Sequence, residues 1–126
     1  ETLKKQISER NFATVYWLHG EEPYFIDYFT EILSETILTE SEKGFNQVLM
    51  YGKDSNVEVV IGNCRRYPMM ADKNVVILKE AQDLKDIGEL ERYLEKPVPS
   101  TVLIVAYKYK TLDKRLKLYK LIVLIN

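Results

Sequence analysis

Four short runs of unbroken apolar residues punctuate the chain, separated by polar stretches with apolar residues at helical spacing. The runs are Val15-Tyr16-Trp17-Leu18, Val48-Leu49-Met50-Tyr51, Val75-Val76-Ile77-Leu78 and Val102-Leu103-Ile104-Val105. The first, third and fourth are continuous, the pattern of strands covered on both faces in a parallel sheet. Asn46 and Gln47 lead into the second, which places it nearer an edge. Glu21-Glu22-Pro23 opens a first helix, with proline early and acids near the positive dipole end, and Ile26, Phe29, Leu33 and Ile37 form its stripe. Ser55 and Glu58 have capping-box spacing ahead of Val57, Val60, Ile61 and Cys64, and Arg65 and Arg66 suit the negative end of that helix. A third helix is predicted from Asp83 through Leu84, Ile87, Leu90 and Leu94. Gly88 weakens it by about 1 kcal/mol, and Pro97 and Pro99 mark the loop after it. A fourth is predicted from Thr111 with Leu112, Leu116 and Tyr119. Strand and helix alternate throughout, without an internal repeat or a low-complexity linker. The predicted class is α/β: a three-layer parallel sheet with helices on both faces.

Length and charge narrow this further. A chain of 126 residues is the size of one domain and can bury a core without staples. The net charge of −1 supplies no global field toward nucleic acid or membrane. Cys64 is the sole cysteine, so no internal disulfide can form, which fits a reducing cytosol, and its place on an apolar stripe makes it a small core residue. No stretch is long enough to span a bilayer, and the first residues lack the apolar stretch of a signal peptide. The chain begins without methionine and stops on Leu121-Ile122-Val123-Leu124-Ile125, an end poorly soluble if exposed. Both features point to a piece of a longer protein.

In such folds ligands bind beyond the carboxyl ends of the strands. The first strand ends at His19-Gly20-Glu21-Glu22-Pro23-Tyr24-Phe25-Ile26-Asp27, the place of a phosphate loop. A working loop needs glycines for close backbone approach, a lysine for the outer phosphates and a hydroxyl for magnesium. Only Gly20 matches. Phe25, Ile26 and Asp27 stand where the second glycine, the lysine and the Ser/Thr belong. Glu21 and Glu22 repel a triphosphate, and Pro23 removes an amide. After the third strand, where a magnesium-binding acid is expected, stand Lys79 and Glu80. No nucleotide cofactor or metal is therefore expected. A divergent P-loop nucleotide hydrolase or kinase is the competing reading, and it requires nucleotide binding despite those three residues.

Other chemistry is thin. His19, the sole histidine, has no serine or cysteine nucleophile placed beside it. Glu21 and Glu22 lack a further acid ligand by spacing, and stabilising the helix start accounts for them. A phospho-receiver domain needs an aspartate at the end of its third strand, and that is missing. No catalytic residue is assigned. The segment Tyr67-Pro68-Met69-Met70-Ala71-Asp72 is more telling. Proline breaks the preceding helix, so two soft apolar side chains fall on a corner before a buried strand. Exposed, they form an adaptable interaction site; inward, they are ordinary core.

Taken together, these pieces resemble the delta subunit family of bacterial DNA polymerase III. The likeness lies in Tyr16 to Asp27, Phe45-Asn46, Cys64 to Lys73, Val75 to Ala81, Pro97 to Ile104 and Leu112-Asp113-Lys114-Arg115, so it covers nearly the whole chain. It implies a P-loop NTPase (AAA+)-like domain, residues 1–126, with a degenerate phosphate loop at Gly20, Phe25, Ile26 and Asp27, and with lid and collar domains of the full subunit absent. It implies a non-catalytic clamp-loader part that binds and opens the beta sliding clamp during DNA replication, without binding or hydrolysing ATP. A structural AAA+ scaffold that contacts only other loader subunits is a further alternative. The implied partners are the clamp, gamma/tau and delta-prime type loader subunits, and primed DNA indirectly, with no membrane. The parent assembly is a DNA-directed DNA polymerase, and the implied location is cytoplasmic, with the nucleoid. The family's hydrophobic wedge falls on Pro68, Met69 and Met70, flanked by Arg66 and Tyr67; two methionines depart from the leucine-phenylalanine type of pair in many relatives. The wedge precedes a strand and the dead loop follows one, so they lie on opposite rims of the sheet. The basic run Lys108, Lys110, Lys114, Arg115, Lys117 and Lys120 reads either as a solvated helix face or as a contact to DNA phosphates or an acidic neighbour, with Tyr107 and Tyr109 closing a strand end.

Overall fold

The computed structural model describes residues 2–109 and 124–125. Its sheet is parallel throughout, in the order β2-β3-β4-β1-β5. The strands are β1 (Val15–Gly20), β2 (Gln47–Tyr51), β3 (Asn74–Lys79), β4 (Thr101–Lys108) and β5 (Leu124–Ile125). Because alternate residues of a strand point to opposite faces, the continuous apolar runs feed two cores. On one face Trp17, Val76, Leu78, Leu103 and Val105 pack with Val57, Val60, Ile61 and Cys64 of α4 (Val57–Cys64) and with Tyr93 and Leu94 of α5 (Glu91–Leu94). On the other, Tyr16, Leu18, Val75, Ile77, Val102 and Ile104 pack under Ile26 and Leu33 of α2 (Pro23–Thr36), with Ile37 just beyond it. Ile7 of α1 (Thr2–Glu9) closes the margin of this second core. Helices therefore cover both faces, and β2 lies at an edge with Leu49 and Tyr51 exposed.

Several elements differ from the sequence expectation. The apolar terminal run contributes β5, which pairs with β1 through Trp17↔Leu124 and Leu18↔Ile125. Helix α1 and α3 (Glu40–Asn46) were not predicted, although α3 starts with a complete capping box, Thr39 with Glu42. Ser55 is not the cap of α4: Asn56 is, its side chain accepting from the Val59 amide at 3.0 Å. Glu58 instead pairs with Arg92 across to the neighbouring segment. The expected helix from Asp83 breaks into 3₁₀ turns at Ala81–Asp83 and Ile87–Leu90 followed by the four-residue α5. Its apolar positions still reach the core, with Leu84, Leu90 and Leu94 buried, but the backbone bonds tighten to i→i+3 around Gly88. The helix expected at Thr111, Leu112, Leu116 and Tyr119 lies outside the described residues. Cys64 is fully buried, and burial pushes its thiol up to about 12. No helix among the described residues is long and apolar enough to cross a membrane.

Candidate functional site

The amino rim carries the corner between α4 and β3. Helix α4 ends at Cys64, and Pro68 cannot extend it. Tyr67 is 90% exposed, Met70 93% and Met69 55%. The inward reading of the two methionines is thus not what the chain adopts. Their backbone is nonetheless held. Asn46, the last residue of α3, accepts from the Met69 amide at 2.6 Å and donates to the Met69 carbonyl at 2.8 Å. Asn74, at the start of β3, donates to the Arg66 carbonyl. The Arg66 guanidinium donates to the Phe45 carbonyl at 3.2 Å, which ties the corner to the end of α3, where Phe45 is exposed. Met70 takes the left-handed conformation, φ 57°.

The carboxyl rim carries the turn from β1 into α2, where the sequence reading puts the degenerate phosphate loop. Gly20 ends β1 at φ 139°, a region that needs glycine. Pro23 is the first residue of α2, and Glu22 caps it without a side-chain bond. A cleft of about 370 Å³ opens here against His19, Gly20, Phe25, Ile26 and Phe29. Ile26 is buried in the core beneath α2, while Phe25 stands half exposed at the mouth. His19 is a buried residue of the strand end, and Glu21 and Glu22 are exposed. Among the described residues no three His, Cys, Asp or Glu side chains converge as metal ligands.

Beside the cleft a lysine bridges three elements. Lys108, at the end of β4, places its Nζ 2.8 Å from Asp27 of α2 and 2.8 Å from Glu80 after β3. Its side chain is only 11% exposed. Gln82 completes the set, accepting from the Lys108 amide at 3.0 Å and donating to Glu80 at 2.7 Å. Burial alone pushes the Lys108 ammonium down, but hydrogen bonds to Asp27 and Glu80 outweigh it and hold its pKa above that of an ordinary lysine. The hydrogen bond from Lys108 holds the Glu80 carboxyl below the usual range against the opposing effect of its burial. A resident ammonium therefore ties together Asp27 and Glu80, the two positions where the sequence reading looks for a magnesium-binding hydroxyl and an acid.

A family model described as DNA polymerase III, delta subunit, matches residues 16–123. The chain belongs to the DNA polymerase III delta subunit family. The DNA polymerase III subunit delta of Bacillus subtilis is 25% identical, over 92% of this chain and 36% of the relative. Among solved structures, a Bacillus subtilis DNA clamp loader delta protein superposes with a TM-score of 0.86 at 22% identity, over 98% of this chain and 41% of the other. A DNA polymerase III gamma subunit-related protein of Thermotoga maritima superposes with a TM-score of 0.61 at 13% identity, over 100% and 46%. These two likenesses speak to the fold alone, a parallel α/β sheet covered by helices on both faces. The chain spans less than half the length of these relatives.

Within this delta-family chain, Arg66, Tyr67, Pro68, Met69 and Met70 come together on one exposed corner, and Gly20, Phe25, Ile26 and Asp27 on the opposite rim. Sequence reasoning missed the hold on each. Asn46 is 23 residues from Met69, with no local pattern to join them. Lys108 was read with the basic run, yet it belongs to the interior bridge; Lys110, Lys114, Arg115, Lys117 and Lys120 lie outside the described residues. The signal for Lys108 was its place at a strand end beside Asp27 and Glu80, once the strand order was known. Tyr107 closes β4 against Trp17, ring centroids 5.8 Å apart, and the exposed Tyr109 donates its amide to the Gly20 carbonyl at 2.8 Å.

Proposed function

We propose that this chain is the clamp-binding domain of a clamp-loader delta subunit, which docks on the beta sliding clamp and opens it without binding or hydrolysing ATP. The observation that carries the reading is the pair Met69 and Met70, exposed on a corner whose backbone is fixed, in a chain of this family. Burying both methionines in a clamp pocket supplies roughly 3–6 kcal/mol of gross hydrophobic free energy. Immobilisation consumes part of that, so Arg66, Tyr67 and Pro68 add contacts around the anchors. Opening a ring requires that the domain bind the relaxed interface better than the closed one, since equal affinity shifts nothing. That step needs no nucleotide in this chain, consistent with Ile26 in the core and Lys108 bound to Asp27 and Glu80.

In this reading residues 1–126 form the clamp-binding unit, and lid and collar regions belong to the part of the relatives' length that this chain does not span. ATP-hydrolysing gamma/tau subunits and a delta-prime type subunit are its partners in the loader, primed DNA is engaged through the assembly, and the work is done in the cytoplasm at the nucleoid. The test is a biosensor titration of purified beta clamp against the wild type and the double variant Met69→Asp, Met70→Asp. The variant is expected to lose clamp binding while its melting temperature moves by no more than a few degrees, because both positions are exposed. Unchanged affinity removes the corner from the clamp contact, and retained binding to loader subunits without any to clamp favours a scaffold role instead.

A further inference from the structure

We propose that Asn46 is a positioning residue for the docking corner, holding Met69 and Met70 in their binding conformation before the partner arrives. This rests on the clamp-binding reading and adds to it a residue outside the corner itself. Asn46 is 2% exposed, and its carboxamide makes three bonds. One donation goes to Glu42 within α3 at 3.0 Å; the others grip the Met69 carbonyl and amide, as a neighbouring strand would. That grip fixes the direction of the chain entering Met70. Met70 sits at φ 57°, a region that non-glycine residues avoid. Such a conformation persists only where the surroundings over-determine it. The methionine side chains do not supply that constraint, being 55% and 93% exposed. The bonds to Asn46 do, with Asn74 holding the Arg66 carbonyl on the approach.

A preformed corner meets its partner without losing backbone freedom at that moment. Freeing one residue transfers that loss to the docking step, which corresponds to a roughly 5- to 30-fold weaker complex. The prediction is read by titrating clamp against wild type, Asn46→Ala, the double variant Met69→Ala, Met70→Ala and the triple variant that combines them. Asn46→Ala is expected to weaken binding by about that factor. In the background lacking both methionine side chains, titrated at the high clamp concentration that the residual contacts require, the same change is expected to cost less than about twofold, because Asn46 acts through the methionines. A residue that only supports the fold weakens both backgrounds alike, and that result overturns the proposal. Amide exchange gives a second measurement that needs no variant: the Met69 N–H is expected to exchange slowly in the wild type although its side chain is exposed, and rapid exchange overturns the proposal. Wild-type protein that does not bind clamp at all overturns the clamp reading, whereas wild-type binding that a folded Asn46→Ala leaves unchanged overturns the role of Asn46 alone.

Discussion

Lys108 shows how one side chain changes the meaning of its neighbours. Asp27 and Glu80 would read as remnants of a magnesium site, but their carboxylates are committed to an ammonium 2.8 Å away. Replacing Lys108 with methionine leaves Glu80 without its main partner, and the expected loss is about 1–2 kcal/mol in a denaturant titration. The pH dependence follows from the two shifts. The Glu80 carboxyl is held low in the fold, so its contribution is present above the ordinary carboxylate range and is lost as pH falls through the folded value. The Lys108 ammonium is held high, so its contribution is complete below the ordinary lysine range and is lost as pH rises through the folded value. The stability gap between wild type and Lys108→Met should therefore be flat between about pH 6 and 9 and close toward pH 3. A gap that persists unchanged in acid would mean that the bridge is not its source. Cys64 is the contrasting case: its burial beside Tyr93 keeps the thiol protonated and unavailable as a nucleophile.

Among the elements, the turn after β2 is the least forgiving. Gly52 lies against the Glu80 turn, where a methyl group would overlap the Glu80 carbonyl and stand 3.0 Å from the Leu84 amide. Gly52→Ala is expected to cost about 1–3 kcal/mol, measured as a lower denaturation midpoint, and a neutral result would show that the two turns separate easily. How much of the fold could be read beforehand follows from where each signal resides. Val75 to Leu78 and Val102 to Val105 announce buried parallel strands because four successive apolar residues leave no polar face. The corner was legible because proline and two methionines are adjacent. Leu84, Leu90 and Leu94 are buried as their spacing predicts, with Ile87 half-buried beside them, but the backbone differs, since 3₁₀ turns and a helix share that spacing over so short a span. Asn46 with Met69, and Lys108 with Asp27, were not legible, because only the order of strands brings them together.

At the scale of the whole domain, the corner and the β1–α2 turn occupy opposite rims of a sheet whose β3 is six residues long, a separation of about 20 Å. Charges that far apart are screened from one another in physiological salt. Lys108→Met is accordingly expected to lower the melting temperature yet leave clamp affinity within about twofold of the wild type. Adding Mg-ATP to either protein is expected to leave the melting temperature unchanged, and a clear stabilisation would support the nucleotide-binding reading. The bridge at Lys108 also bears on what substitutions beside it would do. Placing a lysine at position 26 would put a charge in the core beneath α2, and placing a hydroxyl at position 27 would strip the ammonium of one carboxylate. Each change taken singly weakens the molecule and leaves the other phosphate-binding group missing. A single substitution at either position is therefore expected to lower the melting temperature without conferring a response to Mg-ATP.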